Sequence, residues 1–304
     1  MLNISGIPMT IEALVDLYNV ADDMEEFKKL EQDVSIEHII NVGEKYIKFN
    51  IVQYFSEGSK AEGTIVVLQD ITKQEKLDNM RKEFVANVSH ELRTPLTTVK
   101  SYAETLVDLD IAENSQMVKE WLGIIDSETD RMTVLVKDLL QLSRLDNKQF
   151  ELKKQMVGFN EFVQKCFKQH KILAEKKSDN YTCDFLKEDI QIEIDVDRVS
   201  QVMSNIIGNA IKYSPENSTI AIFVETTEKY AKIYVKDNGI GIPKEDLPRI
   251  FERFYRVDKA RSRAMGGTGL GLAISKEIME LHGGMITAES VYEKGTTMTV
   301  WIPR

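Results

Sequence analysis

Apolar residues recur at helical spacing along two long stretches in the first half of the chain. Steps of three and four residues place such positions on one face of an α-helix. The first series is Leu77, Met80, Phe84, Val88, Leu92, Leu96, Val99, Ala103 and Leu106. The second, in which Glu128 takes one position, is Val118, Trp121, Ile125, Glu128, Met132, Leu135, Leu139 and Leu142. A polar break at residues 110–115 separates them. The pattern predicts two long helices joined by a short loop.

One hairpin of two helices cannot enclose both of these apolar faces. Two copies of the hairpin can bury them in a four-helix bundle, so the pattern predicts a homodimer. The alternative interpretation is a coiled coil with a purely structural role.

Strand-like runs dominate the regions on either side of the hairpin. Residues 1–72 contain the runs Tyr46–Phe55 and Thr64–Gln69, which a turn at Glu57–Ser59 separates, and they predict a small antiparallel sheet. Beyond residue 147, predicted strands are Ile190–Asp195, Thr219–Thr226, Ala231–Lys236, Met285–Ser290 and Thr297–Ile302, with helices Asp197–Tyr213 and Gly269–Leu281. The sequence therefore predicts an α+β multidomain protein, with domains at 1–72, 73–147 and 148–304. The last domain is a two-layer α/β structure.

Composition excludes several classes of protein. The 304 residues are 42% hydrophobic and 29% charged, which is typical of a soluble globular chain with two or three domains. A net charge of −10 argues against general nucleic-acid binding, which needs an excess of basic residues. The two cysteines and four histidines lack the spacing of a disulfide framework or a metal site. No apolar run approaches the roughly 20 residues that span a bilayer.

His90 is the first candidate for chemistry. On the helical period its side chain points roughly 160–200° away from the apolar face, toward solvent. A neutral imidazole is a competent nucleophile near pH 7, and Glu91 beside it can accept or orient the ring proton. The Thr94 hydroxyl, one helical turn further on, can hold a water near a phosphorylated His90. Pro95 is expected to bend the helix there. The alternative is an ordinary surface histidine.

A polar stripe lies on the predicted helix that ends at Tyr213. Asn205, Asn209 and Lys212 share one face because steps of four and three residues separate them. Amide oxygens suit Mg²⁺ or its waters, and a lysine ammonium suits a phosphate. The alternative is a surface helix with ordinary polar residues.

Two glycine-rich turns complete the candidate site. Asp237–Ile242 follows a predicted strand and leaves the Asp237 carboxylate at the strand end, where it can accept a hydrogen bond from an adenine amino group. Gly266–Gly271 precedes a predicted helix, whose free backbone N–H groups can bind phosphates. This second turn lacks the Gly-Lys-Ser/Thr ending of a Walker loop.

A cationic segment lies between the two glycine-rich turns. Residues 251–265, with Lys259, Arg261 and Arg263, form this segment and include few candidate core residues. We interpret this segment as a mobile lid over a polyphosphate. The alternative is a solvated loop.

In order and spacing these segments resemble the H, N, G1, F and G2 boxes of bacterial sensor histidine kinases, the transferases of two-component signal transduction. The match covers residues 75–304, and Phe84–Leu96 with Arg256–Arg261 is most similar to the WalK (VicK) group. The resemblance implies a homodimeric enzyme that phosphorylates itself from ATP and passes the phosphoryl group to an aspartate of a response regulator receiver domain. It also implies the Bergerat ATP-binding sandwich for residues 148–304.

The resemblance implies roles for three residues of the hairpin. His90 would be the phosphoacceptor and Glu91 its acid/base partner. Thr94 would support phosphatase activity toward the regulator, so the enzyme would be bifunctional.

For the nucleotide, the resemblance implies that Asn209 binds Mg²⁺, Asp237 reads adenine and Arg256 helps to orient the γ-phosphate. Lys212 and Tyr213 would approach the nucleotide. The expected nucleotide-binding set is Asn205, Asn209, Lys212, Tyr213, Asp237, Gly239, Gly241, Arg256, Gly267, Thr268, Gly269, Leu270 and Gly271.

Residues 63–72 resemble the last strand and exit motif of a PAS domain. A full domain of this kind needs about a hundred residues, the size of a small domain. Residues 1–72 are therefore expected to be a partial PAS-like sensor domain. The membrane helices of the family are absent from the sequence, so the chain is expected to be the cytoplasmic portion of a membrane-anchored parent protein.

Two other function classes stay open at this point. A gyrase- or MutL-like ATPase clamp shares the nucleotide-binding fold and would hydrolyse ATP independently of His90. A non-catalytic dimeric scaffold would bind ATP weakly or not at all. The balance between kinase and phosphatase, and transfer in cis or in trans, do not follow from the sequence.

Overall fold

The computed structural model describes residues 2–4, 7–9, 35–55, 61–108, 115–146, 151–177, 180–258 and 267–304. The chain divides into two compact units, Met1–Val88 and Ser89–Arg304, and each is described by itself. Among the helices that the structure describes, none has an apolar stretch long enough to cross a membrane.

The first unit is built from β-strands. Strands β1 (Leu2–Ile4) and β2 (Ile7–Met9) form an antiparallel pair. Strands β3 (Ser35–Val42), β4 (Lys45–Phe55) and β5 (Ala61–Asp70) form an antiparallel sheet with β4 at its centre. The predicted antiparallel sheet is confirmed, although β3 was not predicted. The predicted turn at Glu57–Ser59 lies outside the described residues.

A small hydrogen-bonded joint fixes the end of β5 to the helix that follows. The Asp70 carboxylate accepts hydrogen bonds from the Thr72 backbone N–H at 3.0 Å and from its hydroxyl at 2.5 Å. The Thr72 Oγ1 in turn accepts from the Tyr46 N–H at 2.9 Å. The hydrogen bonds from Thr72 lower the pKa of the Asp70 carboxyl. The helix start is thereby tied to the middle strand of the sheet.

Two long helices follow, as predicted. Helix α1 (Thr72–Asp108) continues through Pro95, and α2 spans Ser115–Asp146. Every position of the second predicted apolar series is buried or half-buried, and the Tyr102 and Trp121 ring centroids lie 5.9 Å apart. Residues 109–114, between the helices, lie outside the described part of the chain.

The remaining residues form a two-layer α/β domain, which confirms that prediction. Its sheet has the order β11-β12-β10-β9-β7, in which only the β7–β9 pair is parallel, and β6 pairs with β8 in a separate small ladder. The strands are β6 (Gln155–Gly158), β7 (Asn180–Asp184), β8 (Gln191–Ile194), β9 (Thr219–Thr226), β10 (Tyr230–Asp237), β11 (Met285–Val291) and β12 (Gly295–Pro303). Helices α3 (Phe159–Lys176), α4 (Val196–Tyr213) and α5 (Gly271–Leu281) pack against the sheet. Helix α3 and strands β6 and β7 were not predicted.

Helix α4 is positioned by its cap and its apolar face. The Asp195 carboxylate accepts a hydrogen bond from the Arg198 N–H at 3.2 Å and caps the helix start. Apolar residues at steps of three and four, from Val199 to Ile211, are buried against the sheet and the neighbouring helices. The polar stripe predicted from the sequence is therefore left on the opposite side.

Candidate active site

A cavity of about 580 Å³ lies beside the polar stripe of α4, and we call it the α4 cavity. All but two of the predicted nucleotide-binding residues line it: Asn205, Asn209, Lys212, Tyr213, Asp237, Gly241, Arg256, Gly267, Thr268, Gly269 and Gly271. Of the other two, Leu270 is fully buried, and Gly239 packs so tightly that a Cβ there would lie 2.7 Å from the Tyr213 carbonyl oxygen. The structure therefore gathers residues that are far apart in the sequence around one space.

Asp237 presents a carboxylate to this cavity from the end of β10. Its Oδ1 accepts hydrogen bonds from the Gly239 N–H at 2.9 Å and the Thr296 N–H at 3.2 Å, which fix its orientation. Burial raises the pKa of Asp237, and these two hydrogen bonds lower it again in part. The Asp237 carboxylate is therefore a fixed, partly buried hydrogen-bond acceptor in the cavity wall, which suits an amino group as donor.

Gly241 shapes the turn after Asp237. It has a φ of +64°, and a Cβ at this position would lie 2.2 Å from the Val291 carbonyl oxygen. A side chain would therefore meet both backbone strain and a direct clash. Glycine is required for β10 to turn beside the cavity.

Asn205 supports the glycine-rich turn rather than extending freely into the cavity. Its amide nitrogen donates to the Gly271 carbonyl oxygen and to the Ser275 hydroxyl, both at 3.1 Å. These bonds tie α4 to the first turn of α5. Asn209 and Lys212 also line the cavity from α4, and the Lys212 ammonium lies 5.3 Å from the Tyr213 ring centroid.

Arg256 brings a buried positive charge to the cavity wall. Its side chain is only 6% exposed, and its Nη2 lies 2.9 Å from Oε2 of Glu91. Its Nε is buried and has no hydrogen-bond partner among the described residues. A buried cation with an unused N–H suits an anionic ligand. Of the predicted cationic lid, Lys259, Arg261 and Arg263 lie outside the described residues, as does Gly266 of the second glycine-rich turn.

His90 lies at a separate place on α1. It is exposed, as predicted, and it lines a shallow cleft of about 500 Å³ together with Arg93, Thr94 and neighbouring residues up to Tyr102. The Thr94 hydroxyl donates to the His90 carbonyl oxygen at 3.3 Å. This cleft shares no lining residue with the α4 cavity. In this arrangement the predicted acceptor and the predicted nucleotide-binding residues therefore line two different spaces.

Glu91 is the link between the two places. Its Oε2 contacts Arg256 of the α/β domain at 2.9 Å and Arg131 of α2 at 3.5 Å. The Glu91 side chain is largely buried, with 14% exposed. The predicted acid/base residue is thus held by two arginines.

Several residues of the cavity were not predicted from the sequence. Val134 and Asp138 of α2 form part of its wall, so the hairpin itself closes the cavity on one side. The Thr268 hydroxyl donates to Oδ2 of Asp138 at 3.0 Å. Thr296 and Met298 reach the cavity from β12. Asp138 has no local signal, because its partner is 130 residues away in the sequence.

Further contacts hold the α/β domain against α2. Arg253 makes two hydrogen bonds to Asp146, at 2.9 and 2.5 Å, and one to Glu277 at 2.6 Å. The side-chain amides of Gln141 and Gln201 exchange hydrogen bonds at 3.0 and 2.8 Å. The domain is therefore docked on the second half of α2.

Two family models match separate parts of the chain. The His Kinase A (phospho-acceptor) domain matches residues 80–148, and the histidine kinase-, DNA gyrase B- and HSP90-like ATPase matches residues 194–304. His90 falls in the first range and most of the α4 cavity in the second.

Curated relatives carry both regions in one chain. Sensor histidine kinase WalK of Bacillus subtilis is 41% identical over 311 residues, which cover 100% of this chain and 50% of that protein. Sensor protein kinase WalK of Staphylococcus aureus is 44% identical over 258 residues, which cover 84% of this chain and 61% of that protein. The chain belongs to the sensor histidine kinase family. It spans about half the length of the first curated relatives it matches.

Solved structures of histidine kinases share the fold. Histidine kinase ThkA, solved in complex with response regulator protein TrrA, has a TM-score of 0.60 and 26% identity, covering 95% of this chain and 83% of that chain. Histidine kinase AdeS of Acinetobacter baumannii has a TM-score of 0.55 and 26% identity, covering 70% of this chain and 97% of that chain. Full-length ShkA in complex with AMPPNP has a TM-score of 0.54 and 26% identity, covering 73% of this chain and 45% of that chain.

Proposed function

We propose that this chain is the kinase region of a two-component sensor, which uses ATP to phosphorylate its own His90. The phosphoryl group then passes to an aspartate in the receiver domain of a response regulator. The observation that carries the proposal is the pairing of an exposed His90, within the phospho-acceptor match, with a cavity that offers Asp237, Asn209 and buried Arg256. A gyrase-like clamp shares only the ATPase half of this pairing.

The α4 cavity fits ATP in its chemistry. The fixed Asp237 carboxylate suits the adenine amino group, and the buried Arg256 with its unused Nε–H suits a terminal phosphate. The backbone around Gly269, at the start of α5, suits the other phosphates. Asn209 would hold Mg²⁺ through its amide oxygen, and the ion would neutralise charge on the phosphates when bound.

The reaction follows from the two sites. A lone pair on an unprotonated imidazole nitrogen of His90 attacks the γ-phosphorus, the bond from that phosphorus to the bridging oxygen breaks, and ADP leaves. Glu91 can take or orient the proton on the other ring nitrogen. Because the His90 cleft and the α4 cavity share no lining residue, the proposal includes a movement of the α/β domain that brings the γ-phosphate to the His90 ring.

Homodimerisation is supported by apolar side chains that both hairpin helices expose. Within the second unit they include Leu96 and Val107 on α1, and Leu122, Val136 and Leu140 on α2. Exposed apolar residues in such number along two helices favour association with a second hairpin. We propose that this surface forms the four-helix bundle.

Three finer assignments accompany the proposal. Thr94 lines the same cleft as His90, which supports a role for its hydroxyl in a phosphatase reaction. The joint of Asp70 and Thr72 on an antiparallel sheet supports a partial PAS-like sensor domain over residues 1–72. The curated relatives are about twice as long, and we propose a cytoplasmic position beside a membrane anchor in the parent protein.

Labelling with γ-phosphate tests the central proposal. Purified protein with Mg²⁺ and γ-labelled ATP should acquire a label that is acid-labile and alkali-stable, and His90→Gln should abolish it. Asp237→Asn should reduce labelling through weaker nucleotide binding. His170→Gln is the matched control, since His170 lies on α3, outside both the His90 cleft and the α4 cavity, and its ring hydrogen-bonds to the Cys166 carbonyl oxygen of the same helix. It should label normally.

Each alternative has its own outcome in this experiment. Label retained in His90→Gln would remove His90 as the acceptor. ATP hydrolysis at the same rate in wild type and His90→Gln, with no label on either protein, would identify an ATPase clamp. A protein that binds no ATP would be a scaffold.

A further inference from the structure

Asp138 places a carboxylate of the hairpin inside the wall of the α4 cavity. Its Oδ2 accepts the Thr268 hydroxyl at 3.0 Å, while Oγ1 of Thr268 accepts the Leu270 N–H at 3.3 Å. Thr268 therefore engages its only side-chain donor with the hairpin, and that donor is not available to a ligand of the glycine-rich turn. Docking of the α/β domain on α2 thus occupies a group that a phosphate would use.

The charge of Asp138 is poorly compensated. No basic side chain of the described residues forms an ion pair with it, although Lys212 and Arg256 line the same cavity. Arg256 is already paired with Glu91. Burial raises the pKa of Asp138, and the hydrogen bond from Thr268 lowers it only in part. A polyphosphate at the turn would therefore bring negative charge against an anion in a partly dry wall.

We propose that Asp138 makes docking of the hairpin and binding of a polyphosphate at the glycine-rich turn mutually antagonistic. This inference rests on the proposed function, because it takes the α4 cavity to bind ATP. In the docked arrangement the Asp138 carboxylate weakens binding of the phosphate chain, while binding at the Asp237 end of the cavity is unaffected. By thermodynamic reciprocity, ATP weakens docking by the same factor by which docking weakens ATP binding.

Asp138→Asn, tested with ligands that carry different numbers of phosphates, separates the effect of the Asp138 charge from the effect of its shape. In Asp138→Asn the side-chain oxygen can still accept from Thr268, while the negative charge is lost. Affinities for adenosine, ADP and ATP are measured by titration calorimetry on the whole chain with EDTA, so that no phosphoryl transfer occurs. Asp130→Asn is the matched control, because Asp130 is an exposed acid on the same helix that does not line the cavity.

The gain in affinity should grow with the number of phosphates. Asp138→Asn should bind adenosine as the wild type does, ADP several-fold tighter and ATP about tenfold tighter, which is a common size for coupling between sites. Asp130→Asn should leave all three affinities unchanged.

The remaining outcomes overturn the inference or the function beneath it. No gain for ATP, or the same gain for adenosine and ATP, would show that the charge of Asp138 does not oppose phosphates. Weaker binding of AMPPNP with Mg²⁺ by Asp138→Asn would instead make this residue a metal ligand. Wild-type protein that binds none of these ligands, either with EDTA or with Mg²⁺, would refute the proposed function and the inference together.

Discussion

Replacing Arg253 should weaken the docking of the α/β domain on α2 without touching the α4 cavity. Arg253 is not among the lining residues of that cavity. It bridges Asp146, across the docking contact, and Glu277, which belongs to its own domain. We call these two ion pairs the Asp146 arm and the Glu277 arm of Arg253. Of the two, the Asp146 arm contributes to docking, and the two arms can be tested separately.

The expected size of each arm follows from its exposure. A hydrogen bond between charged groups contributes about 1.5–3 kcal/mol when it is well shielded from solvent. The Asp146 side chain is 51% exposed, so its arm should contribute about 0.5–1 kcal/mol after screening. Glu277 is 25% exposed, and burial raises its pKa, an effect that Arg253 offsets in part. Its arm should contribute about 1–2 kcal/mol.

Hydrogen exchange measured by mass spectrometry can follow both arms. Asp146→Asn should raise exchange in peptides from the second half of α2 about two- to fivefold, as expected for about 0.5–1 kcal/mol of lost protection. Glu277→Gln should raise exchange in residues 249–256 while leaving the α2 peptides unchanged. Arg253→Gln should show both effects.

Two results would contradict this reasoning. Unchanged α2 exchange in Asp146→Asn would mean that the ion pair does not hold the domain on the hairpin. Equal acceleration of α2 exchange by Glu277→Gln would mean that the arms do not act separately.

Two further predictions concern the α/β domain. Gly241→Ala should lower the free energy of unfolding by about 2 kcal/mol or more, because the new Cβ would clash with the Val291 carbonyl oxygen. Denaturant unfolding measures this change. Gly208→Ala is the control: a Cβ at Gly208 on α4 would meet open space, so this variant should be neutral or slightly stabilising. Nε2 of buried His282 accepts the Asp195 N–H at 3.0 Å, so the ring must be neutral, and burial lowers its pKa. Protons therefore bind the unfolded chain more readily as pH falls below about 6.5, and wild-type stability should drop between pH 7 and 5 more steeply than that of His282→Gln. Parallel pH profiles of the two proteins would disprove a buried, neutral His282.

The long helices and the glycine-rich turns could be predicted from the sequence because their signals are local. Apolar steps of three and four residues predict the hairpin, and the resemblance of the segments to the histidine kinase boxes implied one site for Asn209, Asp237 and Thr268, which line one cavity. Helix α3 is harder to predict, since the residue at its start, Gly158, has no side chain that could cap the helix and signal where it begins. Strand β7 is short and depends on a parallel partner across the domain.

The contacts between the hairpin and the α/β domain could not be predicted in this way. Arg256 and Glu91 are 165 residues apart, and Thr268 and Asp138 are 130 residues apart. Nothing in the local sequence of α2 distinguishes Asp138 from an acid that faces solvent, such as Asp130. Such pairs depend on how two folded domains meet, which residue spacing does not specify.

The three acidic contacts of the hairpin differ in what a nucleotide can do to them. Glu91 holds Arg256, and Asp138 holds Thr268, and both of these partners line the α4 cavity. Phosphates in that cavity would compete for both groups, since Arg256 and a hydroxyl are natural phosphate ligands. Asp146 holds Arg253, which does not line the cavity. ATP would therefore weaken the contacts of Glu91 and Asp138, while the ion pair of Arg253 with Asp146 would persist. The strength of that ion pair would then limit how far ATP binding alone can free the α/β domain to reach His90.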